Sequence, residues 1–376
     1  MNHKVVGEGT YGCVTKPALK CKQTQYNRSN RLTKVMKASD AAREYKEMKS
    51  ITKKPGIDKY IISMPDICEP ELDSTFFNTI KQCENEKIGK ALPEEFRMLV
   101  IEDGGISLRQ FRDNVVQTLS KTDVAIFLTR IYYLLEGIQF FYRNNIIHHD
   151  IKDRNIVYNI ETGKMRFIDF GLMQTVKGMI RDSRRNKNAM AQTWDNFPPE
   201  YDCVNRNDYR FCDYTMDYDD FLHRLAKTFD WYSFGIMFPK TLMKLRENDQ
   251  ISVEAFNALL KYFNVLGESN IQKRDYDTSL MPNKYKKLLE HYKLWNEGDP
   301  EPSAKSVQLQ AKLIRRVDFM ASDRKSLARA FRRIRECKEG YIRDKRTRRC
   351  LRKCKTGQIR NSATRRCRKV KPGSPN

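Results

Sequence analysis

A chain of 376 residues, 40% apolar and 11% aromatic, carries enough hydrophobic side chain to bury a real core; wholesale disorder is excluded, and the length exceeds what one compact core usually needs. No run of about 18 apolar residues occurs, which argues on length against a membrane span, and Met1-Asn2-His3-Lys4 leads into a glycine-rich run without the apolar stretch of a signal peptide, so an intracellular, non-secreted protein is expected. The formal charge of +24 is unevenly placed: residues 337–376 hold 15 Lys/Arg against 2 Asp/Glu, a tail suited to acidic or phosphate-rich partners.

In chain order, residues 3–14 alternate around a glycine cluster and residues 31–37 read as a strand. Asp40 is placed to cap a helix running to about Lys53, with Glu44, Met48 and Ile51 on one face and Pro55-Gly56 ending it. Residues 97–102 form a compact buried strand that stops at Asp103-Gly104-Gly105. Beyond it the periodicity becomes helical over 107–119 and 123–144. Residues 156–158 and 165–168 are short strands joined by the turn Glu161-Thr162-Gly163-Lys164. From Thr228 onward helical patterns dominate, after an Asp- and Tyr-rich insert over 201–227 that reads as a solvated loop. The order is α+β: a β-rich part, a hinge at 102–105, then a mainly helical part.

Three clusters carry chemistry. Gly7-Glu8-Gly9-Thr10-Tyr11-Gly12-Cys13-Val14 lets backbone N–H groups approach phosphate oxygens closely. Because a strand and the turn Lys16-Pro17 follow, rather than a helix, a β-hairpin over ATP is favoured above a dinucleotide site. On the next strand Lys34 and Lys37 face opposite ways; Lys34 leaves room for a turn before the helix and is preferred, with Glu44 as its partner and Glu47 as the alternative. In the third cluster, Asp150 is suited to accept a hydroxyl proton and Lys152 to neutralise a transferring phosphate. Asn155 and Asp169 supply oxygen ligands for Mg²⁺, or Mn²⁺ in its place. Such a set performs phosphoryl transfer by positioning and charge neutralisation.

Taken in order, these residues resemble the eukaryotic-type protein kinase family over residues 1 to about 335. The matching positions are Gly7, Gly9, Gly12 and Val14, then Lys34, Glu44 and the hinge Glu102-Asp103-Gly104. His148 to Asn155, Asp169-Phe170-Gly171, Thr193 through Pro198-Pro199-Glu200, and Asp230 to Gly235 follow. The resemblance implies a bilobal fold, with residues 1–103 and 104–336 as its lobes, and binding of ATP by the loop, Lys34, Glu44, Glu102 and Gly104. It further implies that Asp230 buttresses the catalytic loop and that His148 and Phe170 stack between the lobes. Lys152 and Thr193 match the serine/threonine class, so protein substrates are expected. A pseudokinase scaffold, the alternative, would be indicated by loss of Lys34, Asp150, Asn155 or Asp169, and all four are present.

His149 replaces the arginine that in this family pairs with activation-segment phosphate, which implies activity not gated by such phosphorylation. The ten-residue spacing of Lys34 and Glu44 is short for the family. Lys177, Arg181, Arg184, Arg185 and Lys187 make the activation segment cationic, suited to acidic substrates.

Ten cysteines fall into two groups. Cys13, Cys21, Cys68, Cys83, Cys203 and Cys212 are scattered and read as reduced thiols. Cys337, Cys350, Cys354 and Cys367 belong to two copies of Cys-Lys-x-Gly-x-Ile-Arg-x-x-x-Thr-Arg-Arg-Cys, a duplicated unit over 337–376. Zinc and internal disulfides are both open for these cysteines. The repeat resembles the two-cysteine adaptor segments that large DNA viruses append to enzymes, which would imply a viral kinase, in host cytoplasm or virion. Its charge suits nucleic acid or another acidic partner.

Overall fold

The five-stranded sheet that opens the chain runs antiparallel throughout, and its hydrophobic alternation explains why helices cover both of its faces. The structure, a computed structural model, describes residues 3–9, 11–23, 30–185, 196–200 and 217–298, together with four short strands of the tail. Strands β1 (Lys4–Gly9), β2 (Gly12–Lys16), β3 (Arg31–Lys37), β4 (Asp66–Cys68) and β5 (Phe96–Glu102) stand in the order β1-β2-β3-β5-β4. Met36 and Leu99 pack with Ala41 of helix α1 (Ala38–Thr52) on one face. Val35, Met98 and Val100 face the opposite way, onto Phe76 of α2 (Ser74–Ile80) and Ile88 of α3 (Glu86–Gly89).

Two expectations change here. No turn separates β3 from α1: Lys37 is the N-cap, and Asp40 lies within the first turn, paired with Arg43 rather than capping. The four cysteines read as free thiols within this lobe are instead joined as Cys13–Cys83 and Cys21–Cys68. Partners 70 and 47 residues apart carry no local spacing signal from which the pairs could be read.

After Glu102 the chain crosses into a helical lobe. It comprises β6 (Ile106–Ser107), α4 (Leu108–Asn114), α5 (Lys121–Arg143), β7 (Ile146–Ile147), β8 (Ile156–Asn159), β9 (Lys164–Phe167), β10 (Gln174–Thr175), α6 (Val176–Arg185), α7 (Tyr218–Met237), α8 (Pro239–Glu247), α9 (Val253–Leu266) and α10 (Met281–His291). Ser107 caps α4 and Ser120 caps α5, each in a reciprocal capping box; the predicted helix over 107–119 stops at Asn114 and gives way to a 3-10 turn at Val116–Thr118. Helix α7 begins ten residues before Thr228, with Asp217 as its N-cap and Asp219 and Asp220 in its first turn, where carboxylates suit the helix dipole. The end of the presumed loop is therefore helix; residues 201–216 lie outside the described ones.

Helix α5 forms the middle of the core, with Phe127, Leu128, Ile131, Leu134, Leu135 and Phe141 essentially sealed from solvent. At about 1.5–3 kcal/mol for each such side chain, burial here holds the lobe together. By length and composition α5 is apolar enough to cross a membrane, contrary to the expectation from the sequence, although 67% of its apolar window is buried inside the fold.

The chain divides into two units, Met1–Leu313 and Ile314–Asn376. In the second, Tyr341–Arg343 pairs with Cys350–Arg352 and Gln358–Arg360 with Cys367–Lys369, two antiparallel pairings in matching register. The sequence duplication is thus a duplicated β-pairing. Cys337, Cys354, Cys203, Cys212, Thr193 and Lys187 lie outside the described residues.

Candidate active site

The glycine-rich stretch is the β1–β2 hairpin, with Gly9 opposite Gly12 and Gly7 opposite Val14. A Cβ on Gly12 would stand 2.1 Å from the Val35 carbonyl oxygen, so packing against β3 demands glycine there; one on Gly9 would meet nothing within 4 Å. Register then carries the same face from Val14 to Lys34.

Lys34 Nζ donates to both Glu44 carboxylate oxygens, at 2.8 and 2.7 Å, and lies 3.8 Å from Asp169 Oδ1. Lys37 instead pairs with Glu95. The short ten-residue spacing closes because α1 starts with no intervening turn, and strand alternation, not turn length, directs Lys34 to the α1 face. Burial opposes the Lys34 charge, but Asp169 and Glu44 together outweigh it, and its pKa is raised.

At the hinge, Glu102 gives its carboxylate to Arg166 of β9 at 2.9 Å, and Asp103 accepts from Lys16 of β2. Gly104 packs so closely that a Cβ would lie 2.6 Å from Val157. Gly105 has φ +94°, a left-handed conformation that glycine adopts without strain.

The segment between β7 and β8 brings the acid–base residues together. Asp150 Oδ2 accepts from Lys152 Nζ at 2.7 Å and from Asn155 Nδ2 at 2.8 Å. Asn155 Nδ2 also donates to the Asp150 carbonyl, so the amide nitrogen is fully engaged and Oδ1 is left to face a cation. Burial raises the Asp150 pKa, against the pull of Lys152, as befits a proton acceptor. Ile168 N donates to the Asn155 carbonyl at 2.9 Å, which ties the backbone just before Asp169 to Asn155. An amide oxygen and a carboxylate are hard oxygen donors, so Asn155 and Asp169 fit Mg²⁺.

The loop is fixed from beneath. Asp230 of α7 accepts from the backbone N–H groups of His148 and His149, at 2.8 and 3.0 Å, and burial pushes its carboxyl up to about 7 against those two donors. Arg112 of α4 holds Asp153 at 2.7 Å. The His148 ring packs against Phe170, centroids 4.5 Å apart but tilted by 43° rather than stacked, and its Nε2 lies 3.2 Å from the Ile168 carbonyl oxygen. His149 is buried between Phe229, 4.4 Å away and stacked, and Phe197 at 4.9 Å; burial holds its pKa down at about 4. A neutral, enclosed imidazole offers no charge to a phosphate.

Two residues missed by sequence reasoning, Arg274 and Tyr276, hold the end of the activation segment. Glu200 is fully buried against Arg274, and Tyr276 donates its hydroxyl to the same carboxylate at 2.7 Å. Ser233 Oγ donates to the Asn196 carbonyl, and Asn196 reaches the Ile151 carbonyl, joining this end to the catalytic loop. Helix α6, also unforeseen, packs Val176, Met179 and Ile180 onto Phe221, Leu222 and Leu225 of α7 and leaves Lys177 and Arg181 exposed.

A family model of the protein kinase domain matches residues 1–297. Among similar curated proteins, the probable serine/threonine-protein kinase mkcB of Dictyostelium discoideum is 44% identical over 43 residues, 11% of this chain and 6% of that protein. Serine/threonine-protein kinase pim-2 of Danio rerio is 43% identical over 44 residues, 12% of this chain and 14% of the relative. Cyclin-dependent kinase-like 2 of Oryctolagus cuniculus is 24% identical over 182 residues, 46% of this chain and 26% of the relative. The matched stretches therefore span about a quarter or less of these relatives' lengths.

Proposed function

The chain belongs to the protein kinase family, and we propose that it is an active serine/threonine kinase that transfers the γ-phosphoryl group of ATP to protein hydroxyls. The observation that carries the proposal is the joint placement of Lys34 on Glu44 and near Asp169, and of Asp150 on Lys152 and Asn155.

Glu44 holds the Lys34 ammonium where it can meet phosphate oxygens above Asp169. When bound by Asn155 and Asp169, Mg²⁺ supplies charge neutralisation on the phosphates. Asp150 orients the acceptor hydroxyl and receives its proton as the new P–O bond forms and the bond to the β-phosphate oxygen breaks. Lys152, hydrogen-bonded to Asp150 and 43% exposed, offsets negative charge on the transferring group. His148 and Asp230 hold the loop backbone; neither moves a proton.

Serine/threonine preference is supported by Lys152 and by the names of two short matches. Acidic substrates are supported by Lys177 and Arg181 on the open face of α6. The duplicated tail, with its net charge of +13, serves as a tether for nucleic acid or another acidic partner, and its likeness to viral two-cysteine segments supports a viral setting. A peptide array presenting Ser, Thr and Tyr acceptors in acidic, neutral and basic contexts tests specificity. Transfer to Ser and Thr in acidic contexts is expected; preference for Tyr, or for basic contexts, would refute the corresponding part.

A further inference from the structure

The segment from Gln82 to Lys87 touches the glycine-rich hairpin or the strand leading into it at almost every residue. Gln82 Nε2 donates to the His3 carbonyl at 3.4 Å, Glu84 N to Glu8 Oε1 at 3.0 Å, and Asn85 Nδ2 to the Gly9 carbonyl at 2.6 Å. Lys87 Nζ lies 4.4 Å from the Tyr11 ring centroid, and Cys83 is bonded to Cys13. Asn85 does two jobs, because its side-chain oxygen caps α3 by accepting from Lys87 N and Ile88 N while its nitrogen holds Gly9. Helix α3 is in turn anchored by Ile88, buried among Val35, Phe76 and Phe96. The hairpin is thereby linked, through one amide and one disulfide, to the core beneath the sheet.

A glycine-rich hairpin samples many backbone states, and only some of them lay its N–H groups over phosphate. Pinning the Gly9 carbonyl and the Cys13 side chain narrows that range. We propose that residues 82–87 are a positioning clamp for this hairpin and that Cys13–Cys83 is its redox latch, closed when oxidised and loosened by a dithiol reductant. The proposal rests on the kinase reading of the hairpin as a nucleotide flap. Cys13 is completely buried whereas Cys83 is half-buried, so the reductant's thiolate attacks the Cys83 sulfur and Cys13 departs as thiolate. The second reductant thiolate then displaces Cys83. Two electrons and two protons pass to the pair, leaving two protein thiols and an oxidised dithiol. Cys21–Cys68 joins the stretch after β2 to β4 and provides an internal control.

The test is equilibrium binding of a fluorescent, non-hydrolysable ATP analogue with Mg²⁺ to the full chain, oxidised or treated with dithiothreitol, with thiol state read by mass spectrometry. Reduction should raise Kd about three- to tenfold, as expected when the competent state falls to between a third and a tenth of the population. Cys68→Ser should keep that response, and Cys83→Ser should bind weakly in both states. Asn85→Asp retains the oxygen that caps α3 but loses the donor to Gly9; it should raise KM for ATP with kcat unchanged. Equal Kd in the two verified states, failure of the Cys13–Cys83 pair to form on oxidation, or loss of the response in Cys68→Ser would overturn the latch. A redox-sensitive Kd without turnover would sustain the latch and refute the kinase, and no nucleotide binding at all would overturn both.

Discussion

Replacing Arg274 by methionine should be among the most damaging single changes away from the reacting groups. Arg274 and Glu200 have side chains 1% and 0% exposed, and the guanidinium also lies 4.4 Å from the Tyr232 ring. Removing it leaves a buried carboxylate with the Tyr276 hydroxyl as its remaining partner among the described contacts. Breaking a buried pair in this way costs about 3–5 kcal/mol. At about 2–4 °C per kcal/mol for a domain of this class, Tm should fall by roughly 6–20 °C. The exposed Lys90–Glu86 pair, 75% and 86% open to solvent, is the contrast, and its loss should cost under about 1 kcal/mol. Thermal melts of Arg274→Met, Glu200→Leu and the double variant form a cycle in which the double variant recovers much of the loss. A loss below about 1 kcal/mol for Arg274→Met, or strict additivity in the cycle, would refute a buried, mutually dependent pair.

Lys34→Met should lower turnover about a hundredfold or more, measured by steady-state kinetics on protein verified as folded. Gly12→Ala should destabilise by about 1–3 kcal/mol through its clash with Val35, whereas Gly9→Ala should melt like wild type; calorimetry of both checks this. Burial holds His148 and His149 at about 4, below the ordinary 6.5, so their contribution to stability is complete above pH 6.5 and is lost as pH falls toward 4. Asp230, raised to about 7, acts in the opposite direction. The difference between wild type and His149→Phe therefore isolates one histidine, and it should shift by about 1.4 kcal/mol between pH 7.5 and 5.5 in denaturant titrations.

What the sequence revealed and what it hid divide along one physical line. Strand β3 was legible to its end residues, because alternation and flanking breaks are local. The cluster of Asp150, Lys152 and Asn155 lies within six residues, so its mutual contacts follow from the loop itself. Strand alternation put Lys34 and Lys37 on opposite faces, but the choice of Lys34 for Glu44 rested on a turn that does not exist. Contacts between distant segments left no such local trace, and the hold of Asp230 on the His148 and His149 amides was expected from the family resemblance alone. Glu200 meets Arg274 across 74 residues, Cys13 meets Cys83 across 70, and the ring that encloses His149 comes from Phe229 on α7. Absence of an arginine before Asp150 was visible in the sequence; that the histidine in its place is neutral and sealed by aromatic rings required the fold.

The most direct measurement is transfer of labelled γ-phosphate from ATP to a generic protein acceptor by wild type, Asp150→Asn and Asp169→Ala, each verified as folded. Wild type should incorporate label, and each variant should lose about a hundredfold or more, since each removes a group that acts on the transferring phosphate or the acceptor proton. Equal incorporation by wild type and Asp169→Ala, or none by the folded wild type with Mg²⁺ and ATP, would contradict phosphoryl transfer at this site.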